Sequence, residues 1–433
     1  MQRTWFDVAV VGGGSAGIAA AVAAARRGAR TLLVERADVL GGNATQACVH
    51  TICGLYRPAG EGAPAFANPG LPRHFAERLQ RAGAAGAVER AGRVFVLPTH
   101  PPRLARVAAE LCAATPSLSL WTRCALIGAS LARDRAAPHV LQLRGAACGA
   151  REIEARIVVD ASGDAALAAA GGAEVVQAPP EELQAPSYIF TLHGVDTSAI
   201  AGFARLRLTQ ALAGAVRDGR LPGGCESVLV RRGAAADEVY VTLNVPRPPG
   251  SDYDPLDSEC LRRLEARAKQ SARLVAAFLR DNRPAFEQSR VFAWPERIGI
   301  RETRRLRGIA TLERDDVLGG RVRDDEVAVS TWPIELWRDH RRAHFEYPKR
   351  PCSVPLGALV SRSHPRLGTA GRCVSASHAA LGALRVIGTA LATGQAVGVA
   401  AALAADACSD LSAIAAADVR HHILATDEES AWP

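Results

Sequence analysis

Three features of the 433-residue sequence predict an α/β fold in which a parallel sheet is joined to a second, antiparallel one. An apolar strand, a glycine-rich turn, an alanine-rich helix and another strand follow one another within residues 6–35. A second buried-type strand, 151–160, again runs into a turn and a helix. Between about 187 and 245, segments alternate with a period of two, the period of half-buried antiparallel strands.

The first feature has a cause at each position. FDVAVV, residues 6–11, is a short apolar β-rich run suited to burial on both faces. GGGSAG follows, and Gly12, Gly14 and Gly17 satisfy G-x-G-x-x-G directly between that strand and the helical stretch that opens at Ser15. Gly12 allows the tight turn, Gly14 lets backbone approach a pyrophosphate, and Gly17 allows close packing of helix on strand. The helix N-terminus then holds phosphates. RTLLVE, residues 30–35, is the next strand, and its terminal Glu35 is placed to accept from ribose hydroxyls. Together these parts predict a Rossmann-like site for an adenine dinucleotide.

Further along, residues 71–85 and 102–115 read as amphipathic helices, and 118–122, 124–131, 138–144 and 151–160 as strands. The last four suggest a β-meander inserted before the parallel sheet is completed. Asp160 to Asp164 forms a turn expected to meet the cofactor through Asp160 and Gly163, with Asp164 alternatively a helix cap. PPEELQAP, residues 179–186, reads as a linker; YIFTLHG, ESVLV and EVYVTLNV then alternate like antiparallel strands, and a helix is expected from about 257 to 282. The expected division is 1–174 and 363–433 for the two parts of the nucleotide-binding domain, and 175–362 for a substrate domain over it.

Composition narrows the function classes. Apolar residues make up 48% and charged ones 22%, a balance that can bury a sizeable core. The net charge of +8 is carried almost wholly by arginine, with only Lys269 and Lys349 as lysines, and the arginines are scattered without aromatic interleaving. No nucleic-acid partner is expected. The ten cysteines include no C-x-x-C, so reduced, mostly buried thiols and no metal site are expected. The opening MQRTWFDVAVV enters a strand at once, and a cytoplasmic location is expected. Val386 to Ala405 carries no charge over the length of a membrane span, but its Ala, Gly, Thr and Val content reads as a buried helix.

LGGNAT at 40–45, RIVVDASGDAALAAAGGAE at 156–174, RIGIRETRRLRG and ERDDVLGG within 278–335, and the long run from Leu367 to Leu403 occur in this order. On these stretches the sequence resembles the FAD-dependent oxidoreductases of the glutathione-reductase-like fold. The resemblance implies FAD, and because the βαβ unit supplies an ADP site and no strong attachment residue is evident, the FAD is expected to be noncovalent. It also implies that Arg36, Gly42, Asn43 and Thr45 lie where the chain passes the pyrophosphate and ribityl region, and that Gly371 and Arg372 return beside them. Gly394, Gln395 and Ala396 are expected in or at the start of the last long helix, whose N-terminal partial positive charge would suit the flavin pyrimidine edge. Arg385 is expected to touch flavin or pyrophosphate.

Within GGNATQACVHTIC, residues 41–53, Cys48 and Cys53 raise the question of a redox dithiol. In flavin enzymes that reduce disulfides the C-x4-C pair begins two residues after the Gly-Gly, whereas Cys48 lies six beyond Gly42, and no second G-x-G-x-x-G occurs between 100 and 360. Pocket-lining thiols are expected. For acid/base chemistry the candidates are His378 and then His50, and for an anion clamp Arg301 with Arg304. Cys373 is expected to be a packed thiol rather than a flavin attachment point. The reaction expected is oxidation of a small organic substrate by hydride transfer to flavin N5, with oxygen or another carrier as acceptor. A hydroperoxyflavin monooxygenase and a flavin-carrying electron-transfer subunit are the alternatives.

Overall fold

The structure is a computed structural model and describes residues 4–60, 62–200, 202–233, 235–248 and 252–428. β1 (Thr4–Val11) is buried along its second half, and α1 (Ser15–Arg26) is buried from Ala16 to Ala25. A helix apolar all round belongs in an interior. β2 (Thr31–Val34) pairs parallel with β1, Val8 opposite Thr31. The amphipathic helices α2 (Leu71–Arg81) and α3 (Pro101–Ala113) lie where the 3.6-residue period placed them, and β3 (Leu118–Trp121) adds to β2 in parallel. β4 (Cys124–Ser130), β5 (His139–Gly145) and β6 (Gly149–Asp160) form an antiparallel meander. β6 is long enough to serve twice. Its first half pairs with β5, while Ile153 to Asp160 run parallel to β1. The meander thus has three strands, because β3 belongs to the parallel sheet.

A second core contains buried residues from Ala178 to Ile300. Its sheet has the order β8–β9–β7–β10, with β7 (Ser187–His193), β8 (Leu229–Arg232), β9 (Val239–Asn244) and β10 (Arg290–Ala293) all antiparallel. Alternation gives this sheet two faces. Phe190, Leu192, Val230, Val239, Val241 and Leu243 join the core against α4 (Ser258–Asn282). Asp257 caps α4 by accepting from the Glu259 and Cys260 amides at 3.0 and 3.1 Å, a bond pair worth about 1 kcal/mol. The opposite face, including Thr191, Arg231, Tyr240 and Asn244, does not join that core.

The chain then returns to the first core. Leu312, Val327, Val354 and Val360 pack there, so the packing boundary falls near 300 rather than at the expected 362. β11 (Leu367–Thr369) pairs with the end of β6, Thr369 opposite Asp160. α5 (His378–Leu384) is capped by the Ser377 hydroxyl, and α6 (Ile387–Asp406) follows. By length and composition α6 is able to cross a membrane, yet 89% of its apolar window is buried inside the protein. Its glycines explain how. A Cβ on Gly394 would lie 2.1 Å from the Ala16 carbonyl oxygen, and one on Gly398 2.2 Å from that of Ala20. α1 and α6 therefore touch backbone to backbone, a contact that only Gly and Ala permit.

Candidate cofactor and active site

A cleft of about 290 Å³ opens where β1, β2 and β6 end, the place where open α/β sheets bind ligands. Gly12, Gly14 and Ser15 form one wall, Glu35 and Arg36 a second, and Gly42 and Asn43 a third. Gly163, Gly371, Arg372 and Arg385 complete it from the later turns. The turn at Gly12 has φ +105°, and a Cβ there would strike the Ala161 carbonyl at 2.5 Å, so only glycine fits. Gly14 is the N-cap of α1 and offers no side-chain cap, which leaves first-turn amides without an intrahelical acceptor beside the cleft. Glu35 accepts from the Gly13 amide at 2.6 Å and the Ala37 amide at 2.8 Å, one bond on each oxygen. A second lone pair remains on each.

Two buried guanidinium nitrogens lining this cleft, Nε of Arg297 and Nε of Arg385, have no hydrogen-bond partner. Buried polar groups are normally satisfied, which makes these two, unlike the orphaned Nε atoms of Arg73, Arg283 and Arg305 away from the cleft, candidates to meet a ligand's acceptors. Arg297 was missed from the sequence. Burial, then repulsion from Arg36 and Arg372, lowers it to about 10. Arg372 pairs with Asp164 at 2.7 Å and donates to the Ile300 carbonyl, while Asn43 donates to the same carbonyl from the other side. Asp164 is thus an ion-pair partner and no helix cap; Ala165 precedes the short helix Ala166–Ala170.

Several expected cofactor residues lie elsewhere. Gly17 backs the turn, where a Cβ would meet the Gly12 carbonyl oxygen at 1.7 Å, and Thr45 bonds back to the Leu40 carbonyl at 2.8 Å. Asp160 is buried beneath the cleft and accepts from Ser162 and Ala168 amides. Gly394, Gln395 and Ala396 lie in the last long helix, as expected, but two turns past its start and not among the residues lining this cleft, with Gly394 against α1 and Gln395 bonded to the Leu71 amide and the Pro69 carbonyl. The helix begins earlier because Val386 is its N-cap without any polar capping side chain to announce it.

The proposed catalytic residues divide. Nδ1 of His378 bonds Glu302 at 2.8 Å, and Glu302, fully buried, also pairs with Arg305. Arg301 donates to Asn244 Oδ1 at 2.8 Å and to the Ala185 carbonyl, and stacks on Trp337 at 4.9 Å. It does not line the cofactor cleft; it ties Asn244 of the second sheet to the Ala185 carbonyl and the Trp337 ring. Arg304 likewise serves backbone, donating to the Asp164 carbonyl. His50 stacks on Tyr240, ring centroids 4.1 Å apart, and its Nε2 has no partner. Burial, aided by Arg231, pushes His50 down to about 3, so it is neutral and unsuited to hold a proton near neutrality.

The thiols behave as small packed groups. Cys48 and Cys53 are free, and burial raises them to about 11 and about 12. A shuttle needs thiolate, which these environments oppose. Cys48 lines a different pocket, with Tyr240, Trp294 and Glu296, whereas the Cys53 carbonyl accepts from Gly388 at the start of α6. Cys373 is fully buried and also raised by burial. One expectation is overturned: Cys124 and Cys148 form a disulfide, Cα atoms 5.9 Å apart, at the open end of the β4–β5–β6 meander. No group of three or more His, Cys, Asp or Glu residues among the described residues is arranged to hold a metal.

The sequence matches the family model described as FAD dependent oxidoreductase over residues 7–423. No curated protein matches it. Solved structures that resemble it do so at low identity. A geranylgeranyl bacteriochlorophyll reductase-like protein from Thermoplasma acidophilum is 14% identical with a TM-score of 0.47, covering 99% of this chain and 93% of that one. p-Nitrophenol 4-monooxygenase PnpA from Pseudomonas putida DLL-E4 is 12% identical, TM-score 0.47, covering 99% and 91%. Glycine oxidase from Geobacillus kaustophilus is 14% identical, TM-score 0.43, covering 90% and 93%. The family match spans nearly the whole chain, and the chain belongs to the FAD-dependent oxidoreductase family.

Proposed function

We propose that this enzyme oxidises a small organic substrate held between the FAD cleft and the face of the second sheet that turns away from its own core. The uncapped N-terminus of α1, facing a cleft that also holds Glu35, carries the reading. Its first-turn amides would bind the pyrophosphate, and Glu35 the ribose. Arg297 and Arg385 would supply donors toward the flavin, satisfying their orphaned Nε atoms. FAD when bound supplies a two-electron acceptor. The meander following the first βα unit supports a glutathione-reductase-type arrangement of the FAD-binding part.

His378 is the proposed proton-holding residue. Its Nδ1 is fixed by Glu302, which orients the ring and leaves Nε2 for the proton. Cys48 and Cys53 take no electrons in this scheme, since burial keeps both protonated. The test is anaerobic mixing of FAD-loaded enzyme with a panel of organic acids, amines and alcohols, followed by air. Bleaching of the flavin band by one class, reversed by air or by an artificial acceptor, is the expected result. Bleaching only by reduced nicotinamide, and faster when an aromatic compound is present, would support a monooxygenase instead.

A further inference from the structure

The wall of the cofactor cleft beside Glu35 belongs to the meander that the disulfide closes. Cys124, Ala125 and Leu126, the first residues of β4, line the cleft together with Val34, Glu35 and Arg36. Three backbone hydrogen bonds tie the start of β4 to the end of β2. The Glu35 amide donates to the Trp121 carbonyl at 2.9 Å, the Cys124 amide to the Glu35 carbonyl at 3.0 Å, and the Arg123 amide to the Ala37 carbonyl at 2.8 Å. The Glu35 carboxylate in turn accepts from the Ala37 amide. The placing of Glu35 therefore depends on how residues 121–124 are held. Arg123 makes that connection at φ +50°, a left-handed conformation that a non-glycine residue keeps only where its surroundings impose it.

Those surroundings are the closed end of the β5–β6 hairpin. Gly145 stands opposite Cys124, and a Cβ on Gly145 would lie 1.8 Å from the Arg123 carbonyl oxygen, so the two backbones touch. Gly145 also pairs with Gly149, and residues 146–148 between them form the turn that carries Cys148. Ala146, Ala147 and Gly149 are exposed, whereas Cys148 is buried and joined to Cys124. The disulfide thus links an exposed turn directly to a residue of the cleft wall. A second, noncovalent link runs beside it. Arg151 donates to the Cys148 carbonyl at 2.6 Å, and its guanidinium lies 5.1 Å over the Trp121 ring. The other eight cysteines are free.

We infer that the Cys124–Cys148 disulfide is a redox-sensitive latch on the cofactor cleft, and that FAD is held more tightly when it is closed. The inference rests on the reading in which Glu35 meets the FAD ribose, and adds a control on that site. Opening consumes a dithiol. The bond between the two sulfurs breaks, the reductant's thiols supply both protons and both electrons, and the reductant closes to a disulfide of its own. A sulfur beneath a short exposed turn is reached by local opening of that turn, without unfolding of the sheet. Once the bond is open, residues 121–124 are held by hydrogen bonds and packing alone, and FAD must order the wall it binds. Arg151 keeps the Cys148 backbone beside Trp121, so the thiols stay neighbours and a disulfide oxidant recloses the bond by the reverse exchange.

The test measures the FAD dissociation constant of the holoenzyme, from the flavin fluorescence released on serial dilution, in three forms. These are wild type purified in air, wild type equilibrated with dithiothreitol, and Cys148→Ser, which leaves every residue lining the cleft in place. Thiol titration after denaturation should find eight thiols in the first form and all ten in the second. The reduced form should bind FAD about tenfold more weakly, with unchanged far-UV circular dichroism, and reoxidation should restore the affinity. Cys148→Ser should match the reduced wild type and be indifferent to dithiothreitol, although the eight free cysteines remain. A merely structural bond would lower the thermal midpoint on reduction and leave FAD affinity unchanged, which overturns the inference. Ten thiols in the air-purified protein, a bond that dithiothreitol does not open in the folded protein, or a Cys148→Ser protein that binds FAD as the oxidised wild type does also overturns it. Failure of every form to bind FAD defeats the cofactor reading instead, which separates the two failures.

Discussion

Replacing Gly394 by Ala tests how the cofactor helix is seated. The new Cβ would lie 2.1 Å from the Ala16 carbonyl oxygen, where ordinary contact begins at 3.4 Å, so α1 and α6 must part by more than an ångström. Overpacking of this kind costs about 1–3 kcal/mol, with more expected when backbone rather than a side chain must yield. Removing a helical glycine returns about 1 kcal/mol. A net loss of about 1–2 kcal/mol is expected, seen as a fall of a few degrees in the thermal midpoint of the apoprotein. Because Ala16 lies in the first turn of α1, the shift also moves the amides at the cleft, and FAD affinity should fall in parallel. Gly398→Ala, with its Cβ 2.2 Å from the Ala20 oxygen and a full turn farther from the cleft, should lower the midpoint similarly but affect FAD less. A raised midpoint in Gly394→Ala would refute the packing argument. An unchanged midpoint with lost FAD would instead make Gly394 a direct cofactor contact.

Glu35→Ala should weaken FAD binding by about 1.5–3 kcal/mol, the range for a hydrogen bond to a charged group, measured by titrating apoprotein with FAD; unchanged affinity would show that the ribose is held elsewhere. Cys48→Ser combined with Cys53→Ser should leave substrate-driven flavin reduction within about tenfold, roughly 1.4 kcal/mol of barrier; loss of several orders of magnitude with FAD retained would restore the dithiol. Acid should destabilise the protein through His50. Its folded-state value of about 3 lies below the ordinary 6.5, so the unfolded chain binds the proton first; stability is full above 6.5 and falls as pH drops toward 3, by at most about 1.4 kcal/mol per unit. His139, lowered by burial to about 3, adds a second share. His50→Phe, which keeps the ring stack on Tyr240, should lose less stability than the wild type between pH 7 and 5, and an equal loss would contradict the assignment.

The parts legible in the sequence were those written locally. The turn from Gly12 to Gly17 and the acid at Glu35 are fixed by backbone chemistry within one βαβ unit, and the same residues line or back the cleft. Strand alternation from 187 to 244 also reads directly, because one face had a core to join. Gly394 to Ala396 were rightly read as part of the last helix, but its start, two turns earlier, has an apolar N-cap that gives no signal. Arg297 was invisible as a lone arginine in a loop; only the fold brings it to the cleft. Cys124 and Cys148 could have been found. The expected hairpin of 124–131 and 138–144 already sets Cys124 opposite Gly145, and the next strand begins at Gly149, so the turn between them brings Cys148 near. Arg301 was expected as an anion clamp, but its hydrogen-bond partners are a neutral asparagine 57 residues earlier on a strand and a backbone carbonyl, a contact only the fold creates.

The central claim is that the cleft between α1 and the turn after β6 holds FAD without a covalent link. Acid precipitation of the purified protein, with the supernatant flavin identified and quantified against the chain, tests it most directly. One FAD per chain in the supernatant and a colourless pellet is the predicted result. Colour retained in the pellet would contradict the noncovalent site, and FMN in the supernatant would contradict the dinucleotide cleft built by Gly14 and Glu35.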